Sequence, residues 1–362
     1  MATAHQDTLL EVTDLCKHYV LTRGVFKRAV GIVKAVDGVS FSVKRGEILA
    51  LVGESGCGKT TTGRCVMRAV EPTSGSIRFR IDEEMVEMTD LSTGELREAW
   101  KAMGMVFQDP YSSLNPRMNI LETVGEPFHD HGLVTNRREM EDRVAELLRE
   151  VRLDPSYMMR YPHAFSGGQR QRIAIARALA LRPKLVVADE AVSALDVSVQ
   201  AQLLQLLKDL RDRFDLTYLF VAHNLAVIEY MSDRIAVMYV GKIVEMGNTA
   251  DVYARPRHPY TEALMAAIPK LNPKARIEKR EKLLKGEVAD PANPPSGCYF
   301  HPRCAYAQDI CTAQAPPLVN MAAEGESEHL AACHFASELT LSGVPEGERR
   351  EPYAIQHDAS KT

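Results

Sequence analysis

The sequence predicts an α/β protein built on a parallel sheet with helices on both faces. Three observations carry this. Runs that are apolar throughout, Ile48-Leu49-Ala50-Leu51-Val52, Leu185-Val186-Val187-Ala188 and Tyr218-Leu219-Phe220-Val221-Ala222, read as strands covered on both sides. Segments with helical spacing alternate with them, the order of a sheet closed by crossover helices. The first run ends in Gly53-Glu54-Ser55-Gly56-Cys57-Gly58-Lys59-Thr60, a glycine-rich phosphate loop set between a predicted strand and a predicted helix.

The 362 residues give room for one large domain and a smaller one. Hydrophobic content of 45% and charged content of 25% are those of an ordinary soluble globular protein, and a net charge of −4 gives no reason to expect nucleic acid as a partner. No apolar run approaches the roughly 18–20 residues that span a bilayer. Met1 to Asp7 is polar and lacks the apolar core of a signal peptide. The expectation is a cytoplasmic protein that reaches a membrane through a partner.

In chain order, residues 9–52 alternate as strands do: Leu10, Val12 and Leu15, then Val36, Val39, Phe41 and Val43, then the run at 48–52. Residues 21–34 place Arg23, Lys27, Arg28 and Lys34 among Val25, Phe26, Val30, Ile32 and Val33. They read as a long hairpin with either a solvated basic edge or a face for a membrane-embedded partner or lipid headgroups. Residues 60–69 read as a helix, Pro72 to Gly75 as a turn, and Ile77, Phe79 and Ile81 as a strand. Residues 117–160, rich in Glu, Arg, Leu and Met at helical spacing, suggest a helical subdomain. Ser166 is placed to N-cap a helix with Ile173, Ala176 and Ala180 on one face, stopped by Pro183. Residues 197–213 form an amphipathic helix. From Pro256 the texture changes to closely spaced prolines, a basic stretch (Lys274, Arg276, Lys279, Arg280, Lys282) and Asp290-Pro291-Ala292-Asn293-Pro294-Pro295, so a domain boundary falls near 255. Residues 338–362 are polar and expected to fray.

The chemistry follows from residue types. Phosphates need many donors at close range; glycines let the backbone approach, and the next helix adds the partial positive charge of its N-terminus. Gly53, Gly56 and Gly58 supply that geometry, Glu54, Ser55, Cys57 and Thr61 complete the cradle, Lys59 reaches the β/γ-phosphates and Thr60 ligates Mg²⁺. Asp189, at the end of the strand at 185–188, can hold the metal or its water. Glu190 is the natural general base for an attacking water.

Between the phosphate loop and this Asp-Glu pair stands Phe165-Ser166-Gly167-Gly168-Gln169. In this order the three motifs resemble the ATP-binding cassette (ABC) ATPases. The resemblance implies a P-loop NTPase cassette over residues 1–255, with a RecA-like core, an antiparallel β-subdomain and a helical subdomain at about 110–165. It also implies a small Cys-rich C-terminal domain at 256–337 and a flexible tail at 338–362. ATP and Mg²⁺ are the implied ligands. Ser166, Gly167, Gly168 and Gln169 would complete the site of a second subunit. Gln108, in Val106-Phe107-Gln108-Asp109-Pro110, resembles the glutamine loop that senses Mg²⁺ and faces the membrane partner. Ser193-Ala194-Leu195-Asp196 resembles the loop that crosses the dimer interface. His223, 33 residues after Glu190, resembles the switch histidine at the γ-phosphate. Tyr19 resembles the aromatic that stacks on adenine, the alternative being a tyrosine packed in a strand. Catalysis would rest on Glu190, His223 and Lys59. Ala191 stands where the family usually has proline.

A narrower resemblance, over residues 9 to 336, is to the ATPases of oligopeptide/dipeptide importers. It rests on Asp109-Pro110-Tyr111-Ser112-Ser113-Leu114-Asn115-Pro116-Arg117, on Ser193-Ala194-Leu195-Asp196-Val197-Ser198, on His258-Pro259-Tyr260-Thr261 and on the hairpin at 21–34. It implies an ATP-hydrolysing subunit that energises import of peptides or related small solutes from the cytoplasmic face of the inner membrane. The implied partners are a paralogous ATPase subunit, two integral membrane permeases and an extracytoplasmic binding protein. The hairpin and Asn115-Pro116-Arg117 resemble the F-type ATPase subunit more than the D-type, with Gln169 and Arg177 acting on the partner's site. The alternative is a soluble ABC ATPase of repair or cluster assembly, but no inserted coiled coil is seen, and a second cassette, as in translation-type members, is absent.

Of seven cysteines, Cys16, Cys57 and Cys65 read as packing or loop residues. Cys298, Cys304, Cys311 and Cys333 are separated by five, six and twenty-one residues, without the tight pairs usual at zinc. Four thiolates at wider spacing can hold an iron–sulfur cluster. The importer resemblance implies a [4Fe–4S] cluster; Zn²⁺, with His301 and His334 as further ligands, and free thiols are the alternatives.

Overall fold

The computed structural model describes residues 7–23, 28–267 and 286–344. The hairpin tip at 24–27, the basic stretch at 274–282 and the chain beyond 344 lie outside the described residues.

Four strands, β1 (Thr8–Arg23), β2 (Arg28–Lys44), β4 (Ser74–Ile81) and β5 (Glu84–Glu87), make an antiparallel sheet in the order β2-β1-β4-β5. The remaining strands are β3 (Ile48–Val52), β6 (Met103–Val106), β7 (Leu185–Asp189), β8 (Thr217–Val221), β9 (Arg234–Tyr239), β10 (Lys242–Asn248), β11 (Val319–Asn320) and β12 (His329–Ala331). Among the described residues they form a second sheet, in the order β11-β12-β10-β9-β3-β8-β7-β6. Its heart, β9-β3-β8-β7-β6, is parallel, and β10, β12 and β11 extend it antiparallel.

The helices begin with α1 (Lys59–Val66) and α2 (Thr93–Ala99). Next come α3 (Pro110–Ser113), α4 (Ile120–Asp130) and α5 (Arg137–Glu150), which fall within 110–165. They are followed by α6 (Gly167–Leu179), α7 (Val197–Phe214), α8 (Leu225–Met231), α9 (Thr249–Ala254) and α10 (Pro259–Ala266). Local sequence sets their starts. Asn119 and Glu122 form a reciprocal capping box at α4, and Asn136 accepts from Glu139 N–H at α5. Among the described residues, no helix is long and apolar enough to cross a membrane.

Why the three central runs are apolar throughout is visible in the core. Ile48, Ala50 and Val52 of β3 pack with α4, α5, α6 and α7, whereas Leu49 and Leu51 of the same strand pack with Leu10, Val12, Val36, Phe41 and Phe79 of the antiparallel sheet. Side chains alternate across a strand, so a strand sandwiched between two apolar layers needs both sets. Val186 and Ala188 against Leu185 and Val187, and Tyr218 and Phe220 against Leu219 and Val221, divide in the same way.

Two expectations change here. Residues beyond 255 do not make a separate Cys-rich domain. The strand β12 pairs with β10 of the cassette, Glu245 opposite Ala331, and Phe300, Cys298 and Cys304 join the cassette's helical-face core. A segment this rich in proline and polar residues has too little apolar surface to enclose a core of its own. Glu245, fully buried, fastens the join: its carboxylate accepts from the backbone N–H of Arg257 (2.7 Å) and His258 (2.9 Å) and from Nε2 of His329 (2.7 Å). Residues 338–344, expected to fray, are packed instead. Leu341 and Val344 are buried, and Val344 N–H donates to the Tyr253 carbonyl at 2.8 Å.

Candidate functional site

The phosphate loop leaves β3 and turns into α1 through Gly58, whose φ of 106° lies in the left-handed region. A Cβ there would lie 2.1 Å from the Ala35 carbonyl oxygen, so only glycine lets the loop sit this close to β2. No side chain caps α1, which leaves the N–H groups of its first turn to an anion. Lys59 is buried, with Nζ donating to the carbonyls of Gly53 (2.8 Å) and Glu54 (3.0 Å). Cys57 Sγ lies 3.7 Å from that ammonium; burial nevertheless pushes the thiol up and keeps it protonated. Ser55 and Gly56 form the exposed rim. Next in α1, Thr60 Oγ1 donates to Asp189 Oδ1 at 2.8 Å. Asp189 is 2% exposed, and desolvation raises its pKa against the lowering by Thr60, Arg64 and Lys59. A hydroxyl and a carboxylate in contact, two hard oxygen donors, suit Mg²⁺.

Glu190 follows directly. Its φ of 47° is left-handed, uncommon for a residue with a side chain. The turn is held by Glu190 N–H donating to the Val221 carbonyl (2.9 Å) and by Ser193, whose N–H and hydroxyl both donate to the Glu190 carbonyl at 3.0 Å. The carboxylate thereby meets two other groups. Gln108 Nε2 donates to Oε2 at 2.8 Å, and His223 Nδ1 lies 3.3 Å from the same oxygen. Gln108 follows β6, Asp189 and Glu190 end β7, and His223 follows β8, while the phosphate loop follows β3. All four loops leave the carboxyl ends of neighbouring parallel strands, where open α/β sheets place their ligands.

The Ser166 segment stands apart from these contacts. Ser166 Oγ accepts from Gln169 N–H (3.3 Å) and Gln169 Oε1 from Ser166 N–H (3.0 Å), a capping box that leaves Ser166 exposed at the start of α6. A Cβ on Gly168 would meet Val199 Cγ1 at 2.4 Å, so the glycine lets α6 approach α7. Gly167 faces Leu195, and Asp196 caps α7 by accepting from Val199 N–H at 3.0 Å. Arg177 is half-buried and donates to the Ser113 carbonyl at 2.8 Å, bracing α3 within its own chain. Tyr19, on β1 opposite Val33, is 41% exposed, with Lys17 Nζ 4.9 Å from its ring centroid. Thr61 is half-buried in α1.

Two contacts to the loop come from residues beyond 255. Tyr260 OH accepts from Glu54 N–H at 2.8 Å, and Arg303 grips the Glu54 carboxylate through Nη1 (2.7 Å) and Nη2 (3.1 Å). The sequence signals were Tyr260 within His258-Pro259-Tyr260-Thr261 and a basic residue inside the Cys298–Cys304 interval.

The four C-terminal thiols are gathered and buried to different degrees. Cys298 N–H donates to the Cys311 carbonyl at 2.8 Å. Burial first, then the neighbouring thiols, pushes Cys304 and Cys333 up to about 11. Among the described residues, the grouping whose ligand atoms lie within 4.8 Å of one another is Cys16, His18 and Asp37 and not these thiols. The four do not form the tight tetrahedron of a single zinc ion, whose sulfurs stand about 4 Å apart.

Known proteins share this architecture and sequence. The family described as ABC transporter matches residues 36–193, and the oligopeptide/dipeptide transporter C-terminal region matches 244–311. The oligopeptide transport ATP-binding protein AppF of Bacillus subtilis is 48% identical over 93% of this chain and 100% of its own length. A probable peptide ABC transporter ATP-binding protein, y4tS, of Sinorhizobium fredii is 50% identical over 93% of each. Among solved structures, the dimeric post-hydrolysis state of the ATP-binding cassette MJ0796, bound to ADP and Pi, superposes with a TM-score of 0.58 at 29% identity, covering 67% of this chain and 99% of that one. CbiO1 from Clostridium perfringens, part of the ABC transporter complex CbiONQ, gives 0.57 at 26% identity over 68% and 91%.

Proposed function

Because the chain belongs to the ATP-binding subunits of the oligopeptide/dipeptide family of ABC transporters, we propose that it hydrolyses ATP to drive peptide import through a membrane complex. The convergence of Gln108, Glu190 and His223 beside the phosphate loop carries this reading. Lys59 and the N–H groups opening α1 hold the β- and γ-phosphates. Thr60 and Asp189 would hold Mg²⁺, which would supply charge neutralisation at the phosphate oxygens. Glu190 accepts the proton of the attacking water, and Gln108 and His223 orient its carboxylate. Tyr19 offers its exposed ring to the adenine.

Ser166, Gly167, Gly168 and Gln169 open a thirteen-residue helix toward solvent. That end, with Asp196 nearby, faces the γ-phosphate on a second ATPase subunit, and the two subunits close on two ATP molecules. The second subunit is a paralogue, this chain being the F-type member. A groove of about 620 Å³ between α4 and α5, lined by Leu121, Glu122, Glu126, Met140 and Met159, supports docking of a permease segment on the helical subdomain. The protein therefore works peripherally at the cytoplasmic face of the inner membrane, below two permeases fed by an external binding protein. Cys298, Cys304, Cys311 and Cys333 lie close enough for their thiols to raise one another's pKa, and four thiols in one region support a [4Fe–4S] cluster in a structural or regulatory role. Absorbance near 400 nm, lost in Cys304→Ser, tests that part; zinc without iron overturns it.

The composite site is tested by mixing. A Ser166→Arg chain with an intact loop, paired with a partner whose own loop is disabled, should keep one active site, whereas a chain carrying both defects, paired with an intact partner, should form none. The opposite pattern rules out sites shared between subunits. Reconstitution with permeases and a peptide-loaded binding protein should raise ATP turnover; failure to do so sinks the importer reading.

A further inference from the structure

The geometry points to Arg303 as a positioning residue for ATP binding: it neutralises and turns aside a carboxylate that the phosphate loop itself carries. The inference rests on the reading of residues 53–60 as the ATP site.

Glu54 is an awkward residue for such a loop. Its carbonyl takes a bond from Lys59, the lysine that meets the phosphates, and its side chain is an anion on the same short turn. Bare, that charge would oppose a polyanionic ligand. Arg303 answers it with two N–H donors on two carboxylate oxygens, 2.7 and 3.1 Å away. The guanidinium is 5% exposed and Glu54 24%, so water screens the pair weakly. Arg303 is in turn held by aromatic groups. Its guanidinium carbon lies 5.8 Å from the Tyr239 ring centre and 6.0 Å from that of Phe300, and these rings pack with each other at 5.3 Å. The next residue, Cys304, packs against the helical-face core, which fixes the backbone. Tyr260 accepts from Glu54 N–H and packs on both Tyr239 and Phe300, at 4.7 and 5.4 Å. Residue 54 is thus gripped at its amide and its carboxylate by two residues of the segment beyond 255. That segment is a working part of the nucleotide site although it contributes none of the phosphate-loop, Ser166 or Asp189-Glu190 motifs.

The two halves of the pair should behave oppositely, and a purely structural bridge predicts that they behave alike. Arg303→Ala leaves the Glu54 carboxylate unpaired, and KM for ATP should rise about tenfold with kcat within about threefold. Glu54→Gln removes the anion and leaves the cation, and KM should fall about two- to threefold. The double variant should return to within about twofold of the parent. The measurement is steady-state ATPase on the full chain with its physiological partners, with nucleotide binding followed in parallel. A rise in KM in both single variants, or a double variant no better than Arg303→Ala, overturns the proposal. If Arg303→Ala does not fold, the direction of change in Glu54→Gln alone decides. Lys59→Ala serves as the control: ATP binding that survives it would discredit the loop as the ATP site, a failure distinct from that of Arg303.

Discussion

Replacing Glu190 with glutamine changes one atom at the point where three strand ends converge. The parent carboxylate receives Gln108 Nε2 at 2.8 Å and stands 3.3 Å from His223 Nδ1. Glutamine has nearly the same shape, and its amide oxygen can still accept from Gln108. The left-handed backbone at φ 47° suits glutamine as well or as badly as glutamate, so the strain of about 1 kcal/mol carried there is unchanged. The loss is confined to the ability to take a proton. General-base catalysis contributes about 10²–10⁴-fold, or roughly 2.7–5.4 kcal/mol at 1.36 kcal/mol per decade. Phosphate release by the assembled ATPase should therefore slow about a thousandfold, while affinity for ATP stays within about threefold of the parent. On the proposed cycle, in which hydrolysis reopens the pair, the variant should also accumulate as an ATP-bound dimer in light scattering. Turnover within about threefold of the parent would refute Glu190 as the base.

Further outcomes follow from burial and packing. Ending the chain at Thr340 rather than Val344 removes Leu341 and Val344, both buried, and should lower stability by roughly 3–6 kcal/mol, read as a shift in denaturant midpoint. Gly168→Ala forces a methyl to within 2.4 Å of Val199 Cγ1; it should cost about 1–3 kcal/mol and, by displacing the start of α6, slow hydrolysis by the paired subunits. His258 is wholly buried, its Nδ1 accepts from Tyr260 N–H at 3.0 Å, and burial pulls its pKa down to about 3 from an ordinary 6.5. The unfolded chain takes up a proton here that the folded one refuses. His258 thus costs nothing above pH 6.5, and below it destabilises by up to about 1.4 kcal/mol per pH unit until about pH 3. His258→Asn, which keeps a capping acceptor, should flatten the pH dependence of the midpoint by that one proton; equal slopes would show that the imidazole is not held neutral.

The central strands were legible because being covered on both faces leaves an unbroken apolar run, and β3, β7 and β8 each show one. Ser166 was legible as a helix cap because a capping box is written within four residues. Less was visible at β6, whose Met103-Gly104-Met105-Val106 is short and takes its conformation from pairing with β7. The β9–β10 hairpin was likewise unread, since Gly241 and the turn at 240–241 gain meaning only beside β3. That Arg177 donates to the Ser113 carbonyl was not visible in the sequence, because the two residues are brought together only by the packing of α6 on α3.

By itself the sequence determined the motifs: a loop whose glycines admit phosphate, a hydroxyl and two carboxylates in the right order, a capped helix start, and enough similarity along the chain to identify the family. These are local properties of spacing and residue type. Only the tertiary structure decided that Gln108, Glu190 and His223 share one oxygen, that the segment beyond 255 joins the central sheet and buries its apolar residues in the cassette's core, and that Arg303 answers Glu54 across 249 residues of sequence. Such pairings depend on which chain segments packing brings within a few ångströms, and sequence separation does not reveal that.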